Sequence, residues 1–233
     1  MTSKKGFTLV ELMISMTILS AMLMTGSYIY LLLSSKWEYE TKEYDCAIDK
    51  MKSLAIIQRQ LHLIAPHIVE HEQNGELKPV FFFIGNEKSL LSINSQGLFD
   101  ATSSEVFRIN ATQQEDGRFE VVYQAVSMPM LELTSTDQEL VFDRSIVLFD
   151  DLSEFNISYY GFETYDQQGE ASDYDSEISP SWTAVFDGTE RQIMPFEINI
   201  SVIDESGLAD YRLKLDEKSV RYMTNAIESR TEL

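Results

Sequence analysis

The sequence predicts an α+β fold, a long amino-terminal helix packed on antiparallel β-sheet. Three observations carry this expectation. Residues Phe7 to Leu33 hold a single charge, Glu11. From Lys36 to Ala65 apolar residues recur every three to four positions, the period of one helix face. After Pro66 the chain breaks into short runs rich in Val, Ile, Phe and Tyr, separated by turn residues, which read as strands.

The apolar run comes first. As a helix rising about 1.5 Å per residue it measures roughly 40 Å, more than the roughly 30 Å of a bilayer core. Lys4 and Lys5 precede it, so the amino terminus is expected in the cytoplasm and everything after Ser35 outside. A secretory signal would have a shorter apolar region and small residues at its exit; here Met24 and Gly26 hold those positions. A lipoprotein signal would place a cysteine just past the run, and none stands there. A plain signal anchor fits the hydropathy but leaves Glu11 unexplained, because a carboxylate in an apolar span is costly and asks for a partner. Small residues Thr17, Ala21, Thr25 and Gly26 lie near one-turn spacing, which lets membrane helices approach closely.

The helix continues past the bilayer. Tyr44, Ile48, Met51, Leu54, Ala55, Leu61 and Ile64 form one face, with Lys36, Glu38, Glu40, Lys42, Glu43, Asp49, Lys50 and Lys52 on the other. Pro66 stops it, since proline supplies no amide hydrogen. The expectation is one helix from Phe7 to Ala65, about 88 Å long, with a membrane half at 7–35 and an amphipathic half at 36–65.

Residues 66–233 make the head. Strands are expected near Val80 to Ile84, Glu105 to Asn110, Arg118 to Val126, Leu140 to Phe149, Phe155 to Phe162, Trp182 to Phe186, Phe196 to Ile203 and Tyr211 to Leu215. Asp116-Gly117 and Ser206-Gly207 mark hairpin turns. Alternation from Phe196 to Val202 implies one buried and one wet face. The tail after Asp216 reads as a short helix through Val220, Met223 and Ile227, then fraying. Cys46 is the only cysteine, so no internal disulfide can form; in its helical setting it reads as a small apolar filler.

The charge balance, 18 Lys and Arg against 38 Asp and Glu, gives −20. Such a surface repels nucleic acid and anionic lipid headgroups. No Gly-rich phosphate loop, nucleophile elbow or paired-cysteine metal signature is present, so no enzyme activity is expected. His62, His67 and His71 straddle Pro66; one helix face cannot present all three, and they read as exposed residues at a helix end. The run Asp166 to Glu177 is acidic, and Asp173, Asp175 and Glu177 alternate. It reads as a solvated loop, with Ca²⁺ the ion its hard oxygens would suit; no other cofactor is expected. Trp182 and Tyr174 read as interface anchors or as core aromatics.

The stretch Lys4-Lys5-Gly6-Phe7-Thr8-Leu9-Val10-Glu11-Leu12 resembles the cleavage and methylation signature of type IV prepilins and type II secretion pseudopilins. The resemblance implies that prepilin peptidase removes the leader, residues 1–6, by cutting after Gly6, and then N-methylates Phe7. It also implies a pilin-like fold, and an amine on a neighbouring subunit as partner for Glu11, which would set filament register. The simpler reading leaves Glu11 paired with its own Phe7 amine, one helical turn away.

The order of pieces in the head is similar to the J-type minor pseudopilin. The helix ends at Gln60-Leu61; Phe83-Ile84-Gly85 follows, and then Val147-Leu148-Phe149 leads into Phe155-Asn156-Ile157-Ser158-Tyr159-Tyr160. After Trp182, Ile193-Met194-Pro195 opens an alternating strand, while Phe196 and the acidic insert depart from the family pattern. This resemblance implies a tip subunit of a secretion pseudopilus in the inner membrane, with a periplasmic head. Its partners would be other minor and major pseudopilins or pilins, the assembly platform and membrane lipid, but not nucleic acid. Two alternatives stay open: a minor pilin of a type IV pilus serving adhesion, motility or DNA uptake, and a signal-anchored periplasmic binding module.

Overall fold

The computed structural model describes residues 8–215, apart from 74, 132, 134, 135, 137, 171–177, 205 and 206. The fold is α+β, a long apolar amino-terminal helix followed by antiparallel sheets. The chain divides into two compact units, Met1–Met51 and Lys52–Leu233.

Helix α1 runs from Leu9 to His62, starting two residues later and stopping three residues earlier than the sequence predicts. Its end is set by geometry before Pro66 is reached. Leu63 N donates to Gln60 O at 3.1 Å and Ile64 N to Leu61 O at 3.2 Å, tightening the last turn. Ile64 then bridges to Asn94, and Ala65 N donates to Ile93 O at 2.9 Å. The chain therefore leaves the helix by joining a sheet.

Tyr44 and Met51 of the expected buried face are 74% and 70% exposed, and Ala55 is exposed too. The helix residues that are buried are Ser53, Ile57, Gln60 and Leu61, at the spacing of a helix face but all in the last three turns.

The second unit holds twelve described strands: β1 (Ile68–Gln73), β2 (Glu76–Phe81), β3 (Ile84–Gly85), β4 (Ser89–Asn94), β5 (Glu105–Gln113), β6 (Phe119–Ser127), β7 (Arg144–Leu152), β8 (Glu154–Gly161), β9 (Ser181–Thr183), β10 (Phe186–Asp187), β11 (Glu197–Asp204) and β12 (Gly207–Lys214). Short helices α2 (Tyr165–Glu170) and α3 (Gly188–Arg191) lie between them. Six strands form a sheet in the order β10-β3-β4-β5-β6-β7, four form β12-β11-β8-β9, and β1-β2 stand as a hairpin.

Strands β1 and β4 lie outside the expected runs, the strand expected from Leu140 begins only at Arg144, and two expected runs are divided. The run Val80 to Ile84 is split between β2 and β3. The run Trp182 to Phe186 is also split: Trp182 pairs with Tyr160 in the four-stranded sheet, whereas Phe186 pairs with Gly85 in the six-stranded one. That second segment ties the two sheets together.

Ile198, Ile200 and Val202 of β11 and Phe155, Ile157 and Tyr159 of β8 point into one core with Phe107, Ile109, Val121 and the last turns of α1. A second cluster, Val69, Val80, Phe82, Ile93, Val106 and Val126, lies beneath the β1-β2 hairpin. The strand period of two sends neighbouring residues to opposite faces, so Phe81 and Phe83 belong to the first cluster and Phe82 to the second.

A polar knot sits inside the first core. Asn94 Nδ2 donates to Gln60 Oε1 at 2.6 Å, and the Tyr123 hydroxyl donates to Glu105. Leu98 N donates to the same carboxylate at 2.8 Å. Gln60, Asn94 and Tyr123 are fully buried and Glu105 nearly so. The knot pins the last turn of α1 to β4, β5 and β6.

Candidate functional site

The signature residue Glu11 lies in the first turn of α1, and its partner is local. Thr8 N and Thr8 Oγ1 donate to Glu11 Oε2 at 3.0 and 3.1 Å, and Glu11 N donates back to Thr8 Oγ1 at 3.3 Å. Thr8 is the N-cap, its carbonyl accepting from Leu12 N at 3.2 Å. This is a capping box, in which a hydroxyl and a carboxylate three residues apart each satisfy the other's amide. The helix dipole adds to it, because negative charge is favoured at this end. The signal T-x-x-E was present in Thr8-Leu9-Val10-Glu11, yet reading Glu11 for charge alone passes over it.

The segment Leu9–Thr41 is long and apolar enough to cross a membrane, and none of it is buried. Four of its hydroxyls bond back to the helix's own carbonyls. Ser15 donates to Leu12 O at 2.9 Å, Thr17 to Ile14 O at 2.8 Å, Thr25 to Ala21 O at 2.8 Å and Ser35 to Leu32 O at 3.0 Å. Lipid offers no alternative acceptor, so back-bonding of this kind lets Ser and Thr sit in an apolar span. A Cβ at Gly26 would meet nothing within 4 Å.

Lys4, Lys5, Gly6 and Phe7 lie outside the described residues, as do Asp173, Asp175, Glu177 and Tyr174. Asp166 is on α2, Tyr165–Glu170, so the first part of the acidic loop expected over Asp166 to Glu177 is helical. Among the described residues no group of three or more His, Cys, Asp or Glu side chains could hold a metal ion.

The histidines are dispersed, and the expectation of three exposed residues at a helix end holds for His62 alone. His67 is half-buried beyond the helix, and its removal from water holds its pKa below the ordinary value of 6.5. His71 lies on β1, where Nδ1 is 2.6 Å from Thr136 Oγ1.

Trp182 is 39% exposed on the four-stranded sheet. Its ring lies 5.3 Å from Tyr160, and the Arg212 guanidinium sits 5.0 Å from it. It is neither a fully buried core residue nor an isolated surface aromatic.

The amino-terminal geometry agrees with the comparison to known families. Residues 1–27 match the prokaryotic N-terminal methylation motif, which supports a type IV pilin-like protein. No curated protein and no solved structure matches the chain.

Proposed function

We propose that the chain is a structural subunit of a pilus-like filament, and specifically a minor pseudopilin in the tip complex of a type II secretion pseudopilus. One observation carries the reading. A helix able to span a membrane begins with a Thr8–Glu11 capping box, inside a matched methylation motif and immediately after the Gly6-Phe7 junction.

Cleavage after Gly6 frees the α-amine of Phe7, a cation at neutral pH. Methylation retains that charge. Before assembly, Glu11 takes its hydrogen bonds from the neutral donors of Thr8. On entry into the filament, the amine of a neighbouring subunit offers a charge-assisted bond, which is shorter and stronger than a neutral one. Glu11 can leave its cap only where such an amine lies within reach, so the exchange fixes the axial position of the subunit. Apolar helix packing and contacts between heads supply the rest of the binding. The leader lies in the cytoplasm, the helix in the inner membrane and the head in the periplasm, with prepilin peptidase and the assembly platform as further partners. The role is assembly, with no catalytic step.

The test has two arms. Gly6→Ala is expected to block removal of the first six residues, read by intact mass. Glu11→Ala is expected to preserve insertion and cleavage but weaken co-purification with partner subunits; unchanged co-purification would remove the register role. Cross-linked partners drawn from a pilus instead of a secretion system would move the subunit to a pilus tip.

A further inference from the structure

The turn between β3 and β4 brings a lysine, an asparagine and a glutamate together. Asn86 Oδ1 accepts from Lys88 N at 2.8 Å and from Ser89 N at 2.7 Å, which closes the turn on its own side chain. Ala111 N donates to Lys88 O at 2.8 Å. Ile157 N donates to Glu87 O at 2.9 Å, and the Tyr159 hydroxyl donates to Asn86 O at 3.0 Å. The backbone around Lys88 is thereby pinned to β8, and the approach of the two side chains does not depend on flexible rotamers alone.

From this anchored position Lys88 Nζ lies over the Phe119 ring, 4.6 Å from its centroid. It donates to Phe155 O at 2.6 Å and to Asn156 Oδ1 at 2.8 Å. Asn156 Nδ2 in turn donates to the Glu154 carboxylate. Lys88 and Asn156 are half-buried, and Glu154 is exposed. An amine, an amide and a proton carrier therefore stand in line, with the carboxylate on the amide nitrogen and open to solvent.

We propose that Lys88 and Asn156 join in an intramolecular isopeptide bond, with Glu154 as the catalytic carboxylate. The Lys88 ammonium releases a proton to solvent, the free amine attacks Asn156 Cγ, and Glu154, hydrogen-bonded to Asn156 Nδ2, carries a proton to that departing nitrogen. The Cγ–Nδ2 bond breaks as the new Nζ–Cγ bond is kept. The departing nitrogen leaves as ammonia and takes up a solvent proton to become ammonium. Charge and atoms balance, and no oxidant or further reactant enters. Holding both groups in one place converts a sluggish bimolecular aminolysis into an intramolecular one.

The bond would join residues 68 apart in sequence and link the β3-β4 turn of the six-stranded sheet to β8 of the four-stranded one. The chain has a single cysteine and so no internal disulfide to cross-link the head. A cross-link of this kind restricts the unfolded chain as a disulfide does.

The experiment is proteolysis of the denatured, purified full-length protein, followed by mass spectrometry of the peptides. A branched peptide containing Lys88 and Asn156 is expected, lighter by one ammonia than its two linear parts. Glu154→Ala alters an exposed side chain and keeps both reacting groups; it is expected to form the branched peptide on the order of a hundredfold more slowly. Wild-type protein yielding only the linear Lys88 and Asn156 peptides would overturn the proposal, and a branched peptide that accumulates in Glu154→Ala at the wild-type rate would overturn the role of Glu154. The readout involves neither the leader nor the filament, so it fails or succeeds separately from the assembly reading.

Discussion

Replacing Tyr123 with Phe removes one buried oxygen and leaves the ring in place. That ring is stacked on Phe107 at 5.4 Å and is inaccessible to solvent. The lost hydroxyl is a donor to Glu105, whose remaining described donor is Leu98 N at 2.8 Å. It also lies 3.4 Å from Asn94 Nδ2. A hydrogen bond to a charged group is worth roughly 1.5–3 kcal/mol, and an isosteric change opens no cavity, so the expected cost is about 2 kcal/mol. For a domain of this size that lowers Tm by about 4–8 °C.

The assay is thermal unfolding of the full-length protein in detergent, followed by tryptophan fluorescence and combined with Glu105→Gln in a double-mutant cycle. The two changes are expected to couple by about 1 kcal/mol. Alkaline pH gives a second reading of the same bond. Burial, and then the hydrogen bond to Glu105, raise the Tyr123 pKa well above its ordinary value of 10.0. The folded value is the higher one, so the stability it contributes is complete below pH 10.0 and is lost as the pH rises beyond it. The loss amounts to about 1.4 kcal/mol per pH unit for each such tyrosine. Tyr123→Phe should remove its share of that slope. An unchanged Tm together with additive single changes would refute the claim that this knot holds the end of α1 to the sheet.

Two further substitutions probe the head. A Cβ at Gly85 would stand 2.5 Å from the Tyr159 hydroxyl and 2.7 Å from Tyr159 Cε1. Phe83 and Phe186, centroids 5.7 and 6.2 Å away, hold that ring in place. Gly85→Ala is therefore expected to cost about 3 kcal/mol by overpacking, and an unchanged urea midpoint would contradict it. His67 has its folded pKa depressed by burial. The unfolded chain then binds more protons just below pH 6.5, and the stability present above that pH is lost as the pH falls through the folded value. His67→Asn should flatten the stability profile in that window; an identical profile in unfolding titrations run downward from neutral pH would dismiss the effect.

Much of the head was legible because its strands are rich in β-branched and aromatic residues and turn at glycines. Gly117 and Gly207 have φ of +84° and +128°, the left-handed region that favours glycine, and both stand where hairpins were expected. The β1-β2 hairpin was missed although Asn74-Gly75 separates its strands in the sequence and Gly75 has φ of +84°. Its strands are studded with Glu, His, Gln, Lys and Pro79, so composition hides them; a two-stranded hairpin tolerates that proline because both its strands are edges. The split of Trp182 to Phe186 between two sheets depends on Gly85 and Tyr160, partners that local sequence cannot name. The helix period was real, but which turns it buries depends on contacts with β4 and β7, such as that between Ser53 and Leu148 O. At the amino terminus the long apolar helix and Glu11 were readable from hydropathy and charge. The capping role of Thr8 follows from the same four residues once hydrogen bonding is considered alongside charge.

The most direct measurement is the mass of the amino-terminal peptide of protein isolated from its native membrane. The account predicts a chain that starts at Phe7, carries one methyl group on that amine, and loses both features in Gly6→Ala. A native peptide still carrying Lys4, Lys5 and Gly6 ahead of an unmodified Phe7 would contradict it.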